Sequence, residues 1–177
     1  AAVQSGKIIP HPVQANGQSG TIHISAADDD GNLIALTLTH GNGFGACVTA
    51  DGLGLTLGHG MSRFDPRPDH PNSPGPGKRP LHNMVPVIAL EDSKPQFAIG
   101  GAGGRRIPNG IFSVLRAWLG DKTSLDQAVA VPRMHTEGNL SLELTPNSAP
   151  ADKATLEKPG YSVRTAGAAV LAAQATF

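Results

Sequence analysis

The clearest patterning in the chain begins at Thr21. Ile22, Ile24 and Ala26 alternate with His23 and Ser25, the period of two expected of a strand with unlike faces. "DDDGN", Asp28 to Asn32, has turn composition, and Leu33 to Thr39 runs as the strand that would complete a hairpin. "ACVTAD" and "LGLTLG" read as two further short strands, and "MVPVIAL" and "PQFAIGG" predict a second hairpin across a turn at Glu91–Lys94. From Ile107 to Leu119 the spacing becomes helical, with Ile111, Val114, Leu115 and Trp118 on one side. A shorter helix is expected over Leu125–Val131, stopped by Pro132. "LSLEL" follows as a strand, then a helix over Ala151–Lys158 closed by Pro159-Gly160, and two last strands in "YSVRTA" and "AVLAAQATF". Strands, helices and strands again define an α+β domain with no internal repeat.

Composition sharpens this picture. The chain has 177 residues, enough for one domain with a real core, but 22 are glycine and 15 proline, so loops must be extensive. Five Phe, one Tyr and one Trp leave a core of small aliphatics. Residues 1–20, with Pro10, Pro12, Gly17 and Gly20, read as a linker or arm, and residues 21–177 as the domain. Residues 62–80, "SRFDPRPDHPNSPGPGKRP", hold six prolines and exclude regular structure; so long an irregular loop in a small domain points to function. Fourteen basic and 14 acidic residues cancel, which argues against nucleic-acid or anionic-membrane partners. No apolar run is long enough to span a bilayer. The single Cys47 excludes an internal disulfide framework and is read as a small core residue. The opening "AAVQSGK" carries neither an initiator Met nor a signal peptide, so the chain is expected to be a piece of something longer.

The candidate chemistry starts with Thr21, which follows Ser19-Gly20. A threonine opening a strand is ordinarily just a good strand residue. It is also a nucleophile if the bond before it can be cut, because its own α-amine then becomes the base. Thr39, taken alone, reads as an inward-facing strand residue. The glycines of "GAGG", opening a helix, read by themselves as a tight turn.

Five motifs occur in a telling order: "TIHISAADDDGN", "LTLTHGNGFG", "PGKRPLHNMVPVIAL", "GGAGGRR" and "VAVPRMH". Together they resemble the small subunit of γ-glutamyltransferases (γ-glutamyltranspeptidases), a family of N-terminal-nucleophile hydrolases, from about Thr21 to Gln174. The resemblance implies a four-layer αββα sandwich of which this chain supplies roughly half. It also implies a precursor that cuts itself between Gly20 and Thr21, and a heterodimer with the large upstream subunit of the same precursor. In the roles it implies, Thr21 is the nucleophile, Thr39 its hydroxyl partner, and Gly103 and Gly104 the oxyanion hole, with no cofactor. Gly20 would let the backbone adopt the geometry of the acyl shift. A periplasmic or secreted location is suggested by the resemblance alone.

The departures from the family are concentrated where a free glutamyl group would be held. The family's Asn-Asn-Gln-Met-Asp-Asp run is "GHGMSR" here, so Arg63 stands where an aspartate would pair with the α-ammonium. The asparagine after the second strand becomes Gly41, flanked by His40 and Asn42. Ser-Ser-Met becomes His82-Asn83-Met84. His40, Asn42, His59, Arg63, His82 and Asn83 are therefore the expected substrate-binding residues. A guanidinium repels an ammonium and suits a carboxylate or carbonyl. The expected substrate is a small-molecule or peptide amide: a glutaryl-type donor, or a γ-glutamyl donor whose α-nitrogen is acylated. The alternative is a non-catalytic relative that keeps the fold as a scaffold. No histidine pair has metal-ligand spacing, and no metal site is expected; His40, His59 and His82 are expected to meet as polar lining of one pocket.

Overall fold

The structure, a computed structural model, describes residues 20–165 and the backbone of 171–176. The expected arm, apart from Gly20, lies outside the described residues. The elements are β1 (Thr21–Ala27), β2 (Leu33–Thr39), β3 (Thr49–Ala50), β4 (Leu55–Thr56), β5 (Val87–Glu91), β6 (Lys94–Ala102), α1 (Ile107–Leu119), α2 (Leu125–Ala130), β7 (Met134–Thr136), β8 (Ser141–Leu144), α3 (Pro150–Glu157), β9 (Ser162–Thr165) and β10 (Leu171–Thr176). Single 3-10 turns at Gly60–Arg63 and Gly104–Arg106 punctuate them.

β1 and β2 form an antiparallel hairpin in which Thr21 faces Thr39 and Ala27 faces Leu33. Its turn is locked by the Asp28 carboxylate, which accepts the backbone N–H groups of Asp30 and Asn32 and the Asn32 amide. β6 is the centre of a second, antiparallel sheet in the order β10-β6-β5. Its successive residues serve opposite faces. Phe97 and Ile99 join Ile107, Ile111, Val114, Ala117 and Ala128 in the main core, with Phe97 edge-on to Trp118 at a centroid distance of 4.8 Å. Gly100, on the other face, lies against the His23 ring; a Cβ there would come within 2.2 Å of it. The order of layers is therefore hairpin, sheet, helices. A smaller sheet, β7-β8-β9, pairs β8 with β9 in parallel and packs Leu142, Leu144 and Val163 against Leu156 and Tyr161.

The domain is α+β, as the patterning implies, and it supplies three of the four expected layers among its described residues. The hairpin is inverted relative to a simple amphipathic strand pair. Thr21, His23, Ser25, Thr37 and Thr39 face inward, while Ile22, Ile24, Ile34, Leu36 and Leu38 remain between 39 and 55 % exposed on the outer face.

Several expectations need correction. "ACVTAD" and "LGLTLG" form only the two-residue strands β3 and β4, because Gly52 and Gly54 turn the chain with positive φ. Cys47 is exposed, in the turn before β3, with φ 56° and its N–H on the Phe44 carbonyl, so it is no core residue. β7 follows Pro132 unannounced by the sequence pattern. From Phe64 to Pro86 there is no helix or strand, as the prolines require. No helix among the described residues is long and apolar enough to cross a membrane.

Candidate active site

The hairpin register brings the two threonines together. Thr21 Oγ1 and Thr39 Oγ1 are 2.9 Å apart, half-buried at the open end of β1 and β2. Thr39 Oγ1 also accepts the Gly41 N–H at 2.9 Å, which fixes its rotamer and leaves its proton free to point at Thr21. The carbonyl oxygen of Gly20, on the bond before Thr21, accepts the His40 N–H at 3.2 Å. Close approach favours glycine at position 20: a Cβ would sit tightly, 3.3 Å from Asn42 O and 3.4 Å from His40 Cβ.

One step deeper, His23 bridges hydroxyls. Its Nδ1 is 2.8 Å from Thr37 Oγ1 and its Nε2 2.9 Å from Ser25 Oγ. Burial between the sheets pushes the imidazole pKa down, so the ring is held neutral, donating with one nitrogen and accepting with the other.

The expected binding residues fall into two groups. In the first, His59 N donates to His40 O at 2.9 Å, and the Asn42 amide meets His59 Nδ1 at 3.3 Å. Gly41, with φ 81°, is pressed against His59, whose Cβ would lie 3.2 Å from a methyl placed there. These residues adjoin the Gly20–Thr21 junction. In the second group Arg63 stands beside His82, whose pKa is lowered by desolvation and then by the Arg63 charge. His59 also opens the 3-10 turn that ends at Arg63, so the two groups are joined by one short turn of chain. Asn83 follows His82 and is half-buried.

The pairing of Arg63 with His82 depends on Asn72, a residue without a signal in the sequence pattern. Its amide donates to Arg63 O at 2.7 Å, and its oxygen accepts Leu81 N–H at 3.1 Å. The proline-rich loop is thus buckled shut at its base. Ser73, buried, donates to Arg67 O, and Asp65 forks with Arg67, which holds the Asp65 carboxyl far below its usual range.

Gly103 and Gly104 join β6 to α1 with φ 140° and 61°, and a Cβ on Gly104 would meet nothing within 4 Å. The side-chain position of Gly104 is thus open, just beyond the end of the strand that carries Gly100 and the His23 contact. Next in the chain, Arg106 makes a two-pronged ion pair to Glu143 of β8, at 2.6 and 2.8 Å. Arg164 of β9 binds the same carboxylate. Hydrogen bonding from Arg106 is the first cause holding the Glu143 carboxyl below its ordinary range. The sequence offered one overlooked signal for this: a lone glutamate within the apolar run "LSLEL". Among the described residues no group of three or more His, Cys, Asp or Glu is placed to hold a metal ion.

A threonine hydroxyl pair at a strand end, backed by a β-sheet and a helix layer, belongs to the N-terminal-nucleophile hydrolase fold. Its match to a crystal structure of a mutant gamma-glutamyltranspeptidase from Helicobacter pylori has a TM-score of 0.76 at 29 % identity, covering 87 % of this chain and 89 % of that one. Residues 3–176 match the gamma-glutamyltranspeptidase family, and the chain belongs to that family. It is 37 % identical over 131 residues to an acylase ACY 1 proenzyme of Pseudomonas sp. strain SE83, covering 73 % of this chain and 23 % of that protein. To a glutathione hydrolase proenzyme of Escherichia coli K12 it is 30 % identical over 143 residues, 75 % of this chain and 24 % of that protein. The chain thus spans about a quarter of the length of these curated relatives.

Proposed function

We propose that this chain is the small-subunit portion of a threonine amide hydrolase or acyltransferase, cut between Gly20 and Thr21. The observation that carries the reading is the 2.9 Å contact between Thr21 and Thr39 hydroxyls beside a Gly20 carbonyl already held by the His40 N–H. The relatives' description as proenzymes supports a processed precursor, with the upstream part as the partner subunit. The outward apolar face of the hairpin supports a partner layer lying on it.

Processing begins with attack of Thr21 Oγ1 on the Gly20 carbonyl carbon. The C–N bond breaks, the nitrogen takes up the hydroxyl proton, and an ester links Gly20 to Thr21. Water hydrolyses that ester, leaving the Gly20 carboxylate, a free Thr21 hydroxyl and a free α-amine. In turnover the α-amine accepts the Oγ1 proton as Oγ1 attacks the donor amide, and the departing amine receives it. Gly103 and Gly104 N–H groups stabilise the oxyanion. Water or an acceptor amine then releases the acyl group. Each step uses only protein groups, substrate and water.

For the donor, the reading favoured is a glutaryl- or acylated γ-glutamyl amide. Arg63 beside a neutral His82 offers one fixed cation and an uncharged hydrogen-bonding group, a pair suited to a carboxylate and hostile to an α-ammonium. The identity to an acylase supports the same direction. The deciding experiment is mass spectrometry of the full-length protein. A fragment beginning Thr-Ile-His-Ile-Ser, absent from Thr21→Ala, is the expected result; an intact junction in folded protein would support the scaffold reading instead.

A further inference from the structure

Both arginines that follow the glycine pair are tied to the sheet formed by β7, β8 and β9. The Arg105 link is a surface one, 3.0 Å to Glu137, with side chains 71 and 42 % exposed. The Arg106 link is of another kind. Glu143 is only 8 % exposed, both of its oxygens are engaged by the Arg106 fork, and Arg164 closes the remaining side.

The chain between this anchor and the glycines is short. Arg106 N–H closes the 3-10 turn on Gly103 O at 3.2 Å, and Ile107, 1 % exposed, plugs the start of α1 into the main core. Gly104 has no neighbouring atoms where a side chain would stand, so no packing from that direction could fix it. Two glycines have more backbone freedom than any other pair, and here both sit at φ values that other residues rarely adopt. Their amides are therefore aimed by what grips the next residues: a buried isoleucine on one side and a buried carboxylate on the other.

We propose that the Arg106–Glu143 pair is a positioning clamp for the oxyanion amides of Gly103 and Gly104. It rests on the reading of those glycines given above. A planar guanidinium held at two points resists rotation as well as translation, which an ammonium would not. That constraint passes through two peptide units to the Gly104 N–H. Amides already aimed at the developing oxyanion need no reorganisation during the reaction. A clamp of this kind acts on the transition state and leaves ground-state binding of the donor to Arg63 and its neighbours.

The test is a double-mutant cycle in the full-length protein, measuring kcat and KM for a glutaryl anilide. Arg106→Met should lower kcat by about tenfold to a hundredfold, up to the cost of a ~1 Å misplacement and below the roughly 10²–10³-fold of losing an oxyanion donor outright, with KM unchanged. Arg106→Lys should recover only part of that loss, since it restores charge but not the fork. Arg105→Ala should stay within about twofold of the parent, as exposed ion pairs contribute little. Gly104→Ala supplies the second arm: its effect and that of Arg106→Met should fall well short of adding. If Arg106→Met fails to fold, Arg106→Lys and Glu143→Gln replace it in the cycle. Additive losses, a change confined to KM, or full recovery with lysine would each overturn the clamp. A Gly104→Ala enzyme with parental kcat would instead remove the oxyanion assignment on which the clamp rests.

Discussion

Thr21 and Thr39 occupy directly opposed positions of the β1–β2 hairpin, and their hydroxyls touch at 2.9 Å. Cross-strand neighbours on one face are the closest side chains a hairpin can offer. Thr39→Val keeps the shape and removes the hydroxyl. It should slow cleavage at Gly20–Thr21 by about tenfold, the worth of one net hydrogen bond. Time-resolved gel or mass analysis of the precursor measures this; parental cleavage kinetics would show that the contact has no chemical role.

Gly100→Ala should be more damaging than any surface substitution. Its methyl would fall 2.2 Å from the His23 ring, so the two layers would have to separate. Overpacking of this kind costs about 1–3 kcal/mol. Thermal unfolding of the full-length protein reads the loss, and cleavage should slow with it because β1 carries Thr21.

The neutral His23 gives the fold an acid limit. Its folded pKa lies below the model-peptide value of 6.5, so the unfolded chain binds the proton more readily. Its contribution to stability is whole above that value and is lost as pH falls through it towards the folded pKa. Replacing His23 with Gln should flatten the decline in stability below pH 6.5, as followed by denaturant unfolding across pH. An unchanged slope would assign the acid sensitivity to other groups.

How much of this was legible beforehand follows from what a period can encode. Alternation in "TIHIS" located β1 and told which residues share a face. It could not say which face is inside, and the natural guess puts isoleucines inward. Here a polar row is inside because Gly100 leaves room for an imidazole whose two nitrogens both find hydroxyls. Helical spacing sufficed for α1, whose one-sided apolar row meets β6. β7 was missed because three residues hold too little alternation, and the parallel pairing of β8 with β9 depends on a crossover through α3. Local motifs single out Thr21, Thr39 and the glycine pair, and the hairpin register brings the two threonines into contact. Asn72 and Glu143 act over 9 and 37 residues of sequence separation, which no local pattern reports.

The outer hairpin face should dominate the behaviour of the isolated chain. Covering five half-exposed aliphatic side chains is worth roughly 1 kcal/mol each. Residues 1–177 alone are expected to bind hydrophobic dyes and self-associate, and Leu36→Lys with Ile24→Ser should reduce both. The same pair of changes in the full-length protein should impair assembly. Light scattering and dye fluorescence check the first outcome, and gel filtration the second.

Charge reversal at Arg63 tests donor choice. Arg63 is half-exposed, so solvent screens it and the penalty for an α-ammonium is smaller than for a fully buried pair. A preference of about tenfold for a glutaryl over a γ-glutamyl anilide is expected, and Arg63→Asp should narrow or invert it. Parental kcat/KM for both donors in that variant would place Arg63 away from the substrate.

A two-stranded ribbon is marginal by itself. The one that carries Thr21 is seated on β6 and β10 through its polar row and leaves its oily side bare. Under the proposed cut at Gly20–Thr21, whatever closes that side would also decide when the Thr21 hydroxyl is held still against the Gly20 carbonyl. On the proposed reading maturation would be timed by completion: an unfinished particle would keep its threonine capped as an amide, and the α-amine that arms it would be freed only once that bare side is covered.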